Sequence, residues 1–190
     1  MTTTRTSPDM PVHAPGPHIV VMGVSGAGKS TVASLLAERM GAPCVDADDL
    51  HSAANRRKLA AGKPLTDSDR WPWLAAVRDR MREWEQRDAR SPGPDFGLVV
   101  ACSALRRAYR DVLRSVGRPV FFVELDADPE LIVNRLAARR GHFASREILE
   151  SQLRTLESLE PDENGIVCPA TLPVAEIAHR VVAATGMPTR

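Results

Sequence analysis

The sequence predicts a three-layer α/β fold, in which helices cover both faces of a five-stranded parallel sheet, and three observations carry that prediction. Short apolar runs alternate with segments of helical period along most of the chain. A glycine-rich stretch, residues 23–30, lies between the first apolar run and the first helical segment, as at the first turn of a β–loop–α unit. The 190 residues are 43% hydrophobic and show no repeat or linker, which suits one core rather than two domains.

The first strand is His18–Met22, whose run Ile19, Val20, Val21 and Met22 is apolar on both pleat faces. The next helix lines up Val32, Leu35, Leu36 and Met40 and stops at Gly41. A second strand, Pro43–Asp46, ends in Asp46-Ala47-Asp48-Asp49. His51 to Asp69 is polar and predicts one short helix with a loop around Gly62-Lys63-Pro64. Asp69 is placed as the cap of a long helix with an apolar stripe of Leu74, Val77, Met81 and Trp84. In Trp71-Pro72-Trp73 the rings read as packing at that helix start, and Ser91-Pro92-Gly93-Pro94 breaks the chain. Leu98–Cys102 is the third strand, a helix covers about 105–116, and Pro119–Leu125 is the fourth strand. Asp128 caps a helix with Pro129 in its first turn, running to about Arg140. Leu149, Leu153 and Leu156 mark a helix after Ser145, Ile166–Cys168 is the fifth strand, and Val174, Ile177 and Val181 line a closing helix. Residues 1–17, with Pro8, Pro11, Pro15 and Pro17, are expected to be a disordered tail, so the domain is 18–190.

Lys plus Arg (25) and Asp plus Glu (24) nearly cancel to a net charge of +1, which argues against a nucleic-acid or membrane partner. No run has the length of a membrane span. Cys44, Cys102 and Cys168 show no metal spacing and read as small buried hydrophobes in a reducing, cytoplasmic setting.

Residues 23–30 read Gly23-Val24-Ser25-Gly26-Ala27-Gly28-Lys29-Ser30, the pattern G-x-x-x-x-G-K-[ST] of a phosphate-binding loop. Its glycines let backbone N–H groups converge on an anion, Lys29 reaches the β- and γ-phosphates, the Ser30 hydroxyl is placed on Mg²⁺, and Thr31 at the helix start completes the nucleotide-binding run 23–31. The sequence therefore predicts a protein that binds a nucleoside triphosphate such as ATP. Ligands of open parallel sheets bind beyond the carboxyl ends of the strands, so Asp46, Asp48 and Ser103 are expected on the same rim as Lys29. Phosphoryl transfer needs an acceptor in line and positive charge around the moving group. Asp48 is assigned as the base for the acceptor hydroxyl, and Asp46 as a metal contact through water. Strand alternation is expected to point these two the same way and Asp49 the other. An Asp-rich solvated turn is the alternative.

Arg135 and Arg139 are four residues apart and share a helix face; with Arg140 and Gly141-His142-Phe143 they read as the root of a mobile lid over about 137–150 that closes on the triphosphate, where the two forks bind phosphate oxygens and Arg139 is placed to neutralise developing charge. On spacing alone, a solvated basic face fits equally well. Arg106, Arg110 and Arg114 recur every four residues; most of that stripe reads as solvated surface, and Arg106 is kept for its closeness to the rim. His51 is either a substrate partner or a capping surface residue.

These stretches, with Gly62-Lys63-Pro64-Leu65-Thr66-Asp67-Ser68-Asp69-Arg70, Cys102-Ser103-Ala104-Leu105-Arg106, Tyr109-Arg110-Asp111, Gln152 and Thr155-Leu156-Glu157, resemble the gluconokinases of the shikimate-kinase-like P-loop group over about residues 18–160. The resemblance implies a three-layer P-loop kinase fold and ATP-dependent phosphorylation of D-gluconate at its 6-hydroxyl, with Mg²⁺. It also implies a homodimer and a product that feeds the pentose phosphate or Entner–Doudoroff routes. Carried over by motif, Asp48 is the base, and His51, Arg56, Arg70, Ser103 and Arg106 are candidates to hold the polyol acid within a substrate segment of about 48–70. Arg106 stands where many relatives carry lysine, and no adenine contact is named.

Overall fold

The computed structural model of the protein describes residues 16–90, 97–138 and 146–186. Residues 1–15 of the expected tail, the break at Ser91–Pro94, Arg139 and the 139–145 centre of the expected lid lie outside the described residues. Five strands, β1 (His18–Met22), β2 (Cys44–Asp46), β3 (Val99–Ala101), β4 (Val120–Asp126) and β5 (Gly165–Pro169), pair in the order β2-β3-β1-β4-β5, all parallel. The helices are α1 (Lys29–Met40), α2 (Ala53–Ala60), α3 (Asp67–Arg90), α4 (Arg107–Arg114), α5 (Pro129–Ala138), α6 (Arg146–Thr155) and α7 (Val174–Thr185).

Alternation along β1 divides the core. Ile19 and Val21 pack with Leu36, Val123 and Ile177 under α1 and α7, whereas Val20 and Met22 pack with Trp73, Leu74 and Tyr109 under α3 and α4. Both faces of the central strand are thus buried, the condition for a parallel sheet between helical layers. β1 has β3 on one side and β4 on the other, so the chain's crossovers diverge around it. The loop that leaves β1 consequently opens at the switch point of the sheet, where a crevice forms. His18 opens β1 fully buried, with Nδ1 accepting the Leu98 N–H and Nε2 facing Glu85 on α3.

Three expectations are corrected. The long helix begins at Asp67, and Asp69 is not its cap: Asp69 sits in the first turn, and its carboxylate accepts the Thr66 N–H while Thr66 Oγ1 faces the Asp69 N–H. That reciprocal pair is a capping box, with Thr66 as the cap. Lys58 on α2 adds an ion pair that holds the Asp69 carboxyl at about 2. Arg110 is fully buried rather than solvated, because the 157–163 segment folds over that face of α4 and offers it Glu163 and the Glu157 carbonyl. Cys44 is exposed, since β2 is an edge strand, while Cys102 and Cys168 are buried as expected.

Candidate active site

The glycine-rich loop joins β1 to α1 and is shaped by two of its glycines. Gly23 has φ +136°, and a Cβ there would lie 2.9 Å from the Leu125 carbonyl oxygen. Gly28 has φ +102°, and a Cβ there would meet nothing within 4 Å, so the backbone faces open space. α1 then begins at Lys29 with Gly28 as its cap, no capping side chain and no acid in its first turn. A helix end left in that state presents unpaired N–H groups and a positive end to an anion. The residues present therefore fit a polyphosphate.

Two cavities flank this loop. The first, of about 480 Å³, is bordered by Ser25 and Lys29 from the loop, and by Asp48, His51, Arg56, Arg70, Trp73 and Ser103 from beyond β2 and β3; Ile148 and Gln152 of α6 close it. The second, of about 310 Å³, is bordered by Gly26, Ala27, Gly28 and Thr31 of the loop and α1. Arg135 and an apolar wall of Val32, Leu172, Val174 and Ile177 complete it. Both volumes are of small-molecule size.

In the first cavity, strand alternation does not set the carboxylates, because β2 stops at Asp46 and Ala47–Leu50 form a 3-10 turn. Asp46 caps that turn through its Oδ1, which accepts the Asp48 N–H at 3.0 Å, while its Oδ2 accepts the Ser30 hydroxyl at 2.6 Å. The Ser30 hydroxyl and the Asp46 carboxylate are hard oxygen donors at the loop, the chemistry that Mg²⁺ prefers. Among the described residues no group of three His, Cys, Asp or Glu side chains could hold a metal. Burial pulls the Lys29 ammonium below its usual range, opposed by Asp48 and Asp46, and Nζ donates to the Val24 carbonyl at 3.0 Å. Cys102, behind Lys29 at the end of β3, has its thiol pushed up to about 12 by burial and is inert.

His51 is buried at 6% exposure, stacked on Trp73 at 4.4 Å, and lies 3.8 Å from Asp48. Burial lowers its imidazole below the usual range, with Arg56 and Arg70 adding to the effect and Asp48 opposing it. Trp73 is itself fixed by its Nε1 donating to the Ala47 carbonyl at 2.7 Å, so the indole packs and also walls the cavity. Arg70 is 8% exposed and is steadied by Tyr109 Oη at 3.1 Å. Behind it, Asp67 receives Tyr109 Oη and, at 2.8 Å, Arg106. Arg106 is thus not brought to the cavity wall. Ser103 is, and its carbonyl faces the Gly23 N–H at 3.4 Å. The next residue, Ala104, holds φ +40°, an uncommon value for a non-glycine residue and one that no sequence pattern announced. Arg135 borders the second cavity, and its guanidinium donates to the Ala27 and Ala170 carbonyls at 3.2 and 2.8 Å.

Sequence reasoning assigned no chemistry to Trp73 or Gln152. The spacing of Ile148 and Gln152, four apart on one face of α6, was the available signal, but it does not say what that face covers.

The chain matches the AAA domain family over residues 19–159. A gluconokinase of Gluconobacter oxydans is 46% identical over 145 residues, covering 76% of this chain and 78% of the relative. The crystal structure of a sugar kinase from Janibacter superposes with a TM-score of 0.83 at 41% identity, covering 91% of this chain and 96% of the other. That of a gluconokinase from Sinorhizobium meliloti does so with a TM-score of 0.76 at 41% identity, covering 91% and 93%. The fold is therefore a P-loop kinase fold, and the chain, an AAA-domain protein, belongs to the gluconokinase family.

Proposed function

We propose that the protein transfers the γ-phosphoryl group of ATP to the 6-hydroxyl of D-gluconate, giving 6-phospho-D-gluconate and ADP. The observation that carries this reading is that Asp48 and Lys29, remote in sequence, border one cavity whose wall also bears Arg56 and Arg70. A polyol acid matches such a wall, since its carboxylate suits a guanidinium fork and its hydroxyls suit His51 and Ser103.

In this reading Asp48 accepts the proton of the 6-hydroxyl as it attacks. Lys29 and the loop amides of Gly26 to Ser30 take the charge of the transferring group, with Arg135 at its other side, and the helical spacing of Arg139 from Arg135 assigns it the same role. Ser30, and Asp46 through water, would hold Mg²⁺, which would supply charge neutralisation at the phosphates. Arg70 and Arg56 hold the acceptor carboxylate, and Arg106 acts through Asp67, which steadies Tyr109 and so Arg70. The apolar wall of the second cavity takes the adenine. The active form is a cytoplasmic homodimer with neither nucleic acid nor membrane as partner, and its product enters the pentose phosphate or Entner–Doudoroff routes. Among the described residues no helix is long and apolar enough to cross a membrane.

An ADP-release assay over D-gluconate, shikimate and adenylyl sulfate tests the substrate. Turnover is expected with gluconate; turnover of either other acceptor with none of gluconate overturns the assignment.

A further inference from the structure

One contact crosses the site between segments 127 residues apart: the backbone N–H of Ser25, third residue of the phosphate loop, donates to Oε1 of Gln152 on α6 at 2.6 Å. An N–H can only donate, so the carboxamide oxygen is the atom that faces it. Among the described residues the Nε2 end has no hydrogen-bond partner, and Gln152 borders the same cavity as Ser25, Lys29 and Asp48. The carboxamide is therefore moored at its oxygen, with two donors left for whatever enters that cavity.

Ser25 borders the acceptor cavity, whereas Gly26, Ala27 and Gly28 border the second one. Its N–H thus lies at the end of the loop where the terminal phosphate meets the acceptor. In a nest of inward N–H groups each donor serves an anion oxygen, and a carboxamide oxygen on Ser25 holds a place that a terminal phosphate oxygen takes. We propose that Gln152 is a positioning residue that works as a latch: its oxygen satisfies Ser25 in the free protein, a nucleoside triphosphate displaces it, and the released carboxamide turns to donate to the polyol acid. A diphosphate, one phosphoryl group shorter, leaves the latch engaged. The acceptor consequently binds more tightly to the triphosphate-loaded protein than to the diphosphate-loaded one. This inference rests on reading the cavity as an acceptor site. Each exchange trades one neutral hydrogen bond for another, so its effects lie at about two- to tenfold in affinity.

Calorimetric titration of the whole chain with a non-hydrolysable ATP analogue, with ADP and with D-gluconate separates the steps. In the wild type, gluconate is expected to bind about two- to tenfold more tightly beside the analogue than beside ADP. Gln152→Met, isosteric but without hydrogen-bonding groups, is expected to bind the analogue about two- to tenfold more tightly than wild type and to bind gluconate equally with either nucleotide. Structural damage weakens both ligands, so opposite movements are the signature of the latch. Gln152→Ala carries the same expectations if the methionine variant does not fold. Unchanged or weaker analogue binding, or a retained preference of gluconate for the analogue complex, overturns the proposal. Should the wild type fail to bind gluconate, the functional reading falls, while the analogue titration still decides the latch.

Discussion

Two arginines of nearly equal burial do different work in this molecule. Arg110 on α4 is fully enclosed: Nε and Nη2 meet the two carboxylate oxygens of Glu163 at 2.7 and 2.5 Å, and Nη1 donates to the Glu157 carbonyl at 2.8 Å. Arg70 on α3 is 8% exposed, yet its guanidinium's one hydrogen bond among the described residues is to Tyr109 Oη, with the Asp67 carboxylate 3.7 Å away. The first guanidinium has oxygen partners on every side and closes a seam between α4 and the 157–163 segment. The second keeps donors for the cavity. A buried cation with its fork filled is structure, and one with its fork left open awaits a ligand.

That contrast can be broken from either side. The largest effect is expected at the reacting end of the cavity: Asp48→Ala should lower turnover about 10²- to 10⁴-fold while leaving the affinity for an ATP analogue nearly intact, as read by steady-state kinetics and calorimetry. Next is the sealed seam. Glu163→Ala leaves Arg110 buried without its counter-charge and should cost about 3–5 kcal/mol in denaturant unfolding, with the gluconate KM of the folded protein unchanged. A loss below 1 kcal/mol would show that the seam is not sealed.

Arg70→Lys keeps the charge and removes the fork, so the gluconate KM should rise about ten- to a hundredfold with little change in the unfolding midpoint. A matching loss of stability would make Arg70 a second Arg110. The smallest effect is in acid. Burial alone would raise the Glu163 carboxyl, but its hydrogen bonds from Arg110 hold it at about 2, against an ordinary value of 4.5. A depressed carboxylate stabilises the fold above its unfolded pKa, and that contribution fades as pH falls. The stability gap between wild type and Glu163→Gln should therefore narrow between about pH 4.5 and 2, and a gap independent of pH there would contradict the pairing.

The same pair of regions marks what the sequence made legible. Each strand was readable within about a residue or two, because an apolar run bounded by turn residues states its own limits, as His18–Met22 and Val120–Asp126 do. The meeting of Lys29, Asp48 and Ser103 followed from topology alone, since all three leave the same edge of a parallel sheet. Arg110 and Gln152 were not readable in the same way. Their spacing shows which helix face they occupy, but the partner comes from distant segments, 157–163 for one and the phosphate loop for the other. The turn after β2 was misread for a local reason: the Asp46 side chain takes the Asp48 N–H, which ends the strand where alternation would have carried it on.

Asp46 also has a consequence for how such a site can diversify. One of its oxygens holds the Ser30 hydroxyl and the other the Asp48 amide, so Asp48, the proposed proton acceptor, is anchored to the sheet and the phosphate loop. The cavity's arginines, Arg56 and Arg70, sit on α2 and α3, helices that touch that turn through Arg56, which donates to the Asp49 and His51 carbonyls, and Trp73, which donates to the Ala47 carbonyl. If Asp48 is the base as proposed, substitutions on those helices that spare Arg56 and Trp73 can reshape which alcohol is admitted without disturbing the alignment of base and phosphate, and a graft of another acceptor pocket that keeps these two residues should inherit the reaction centre intact.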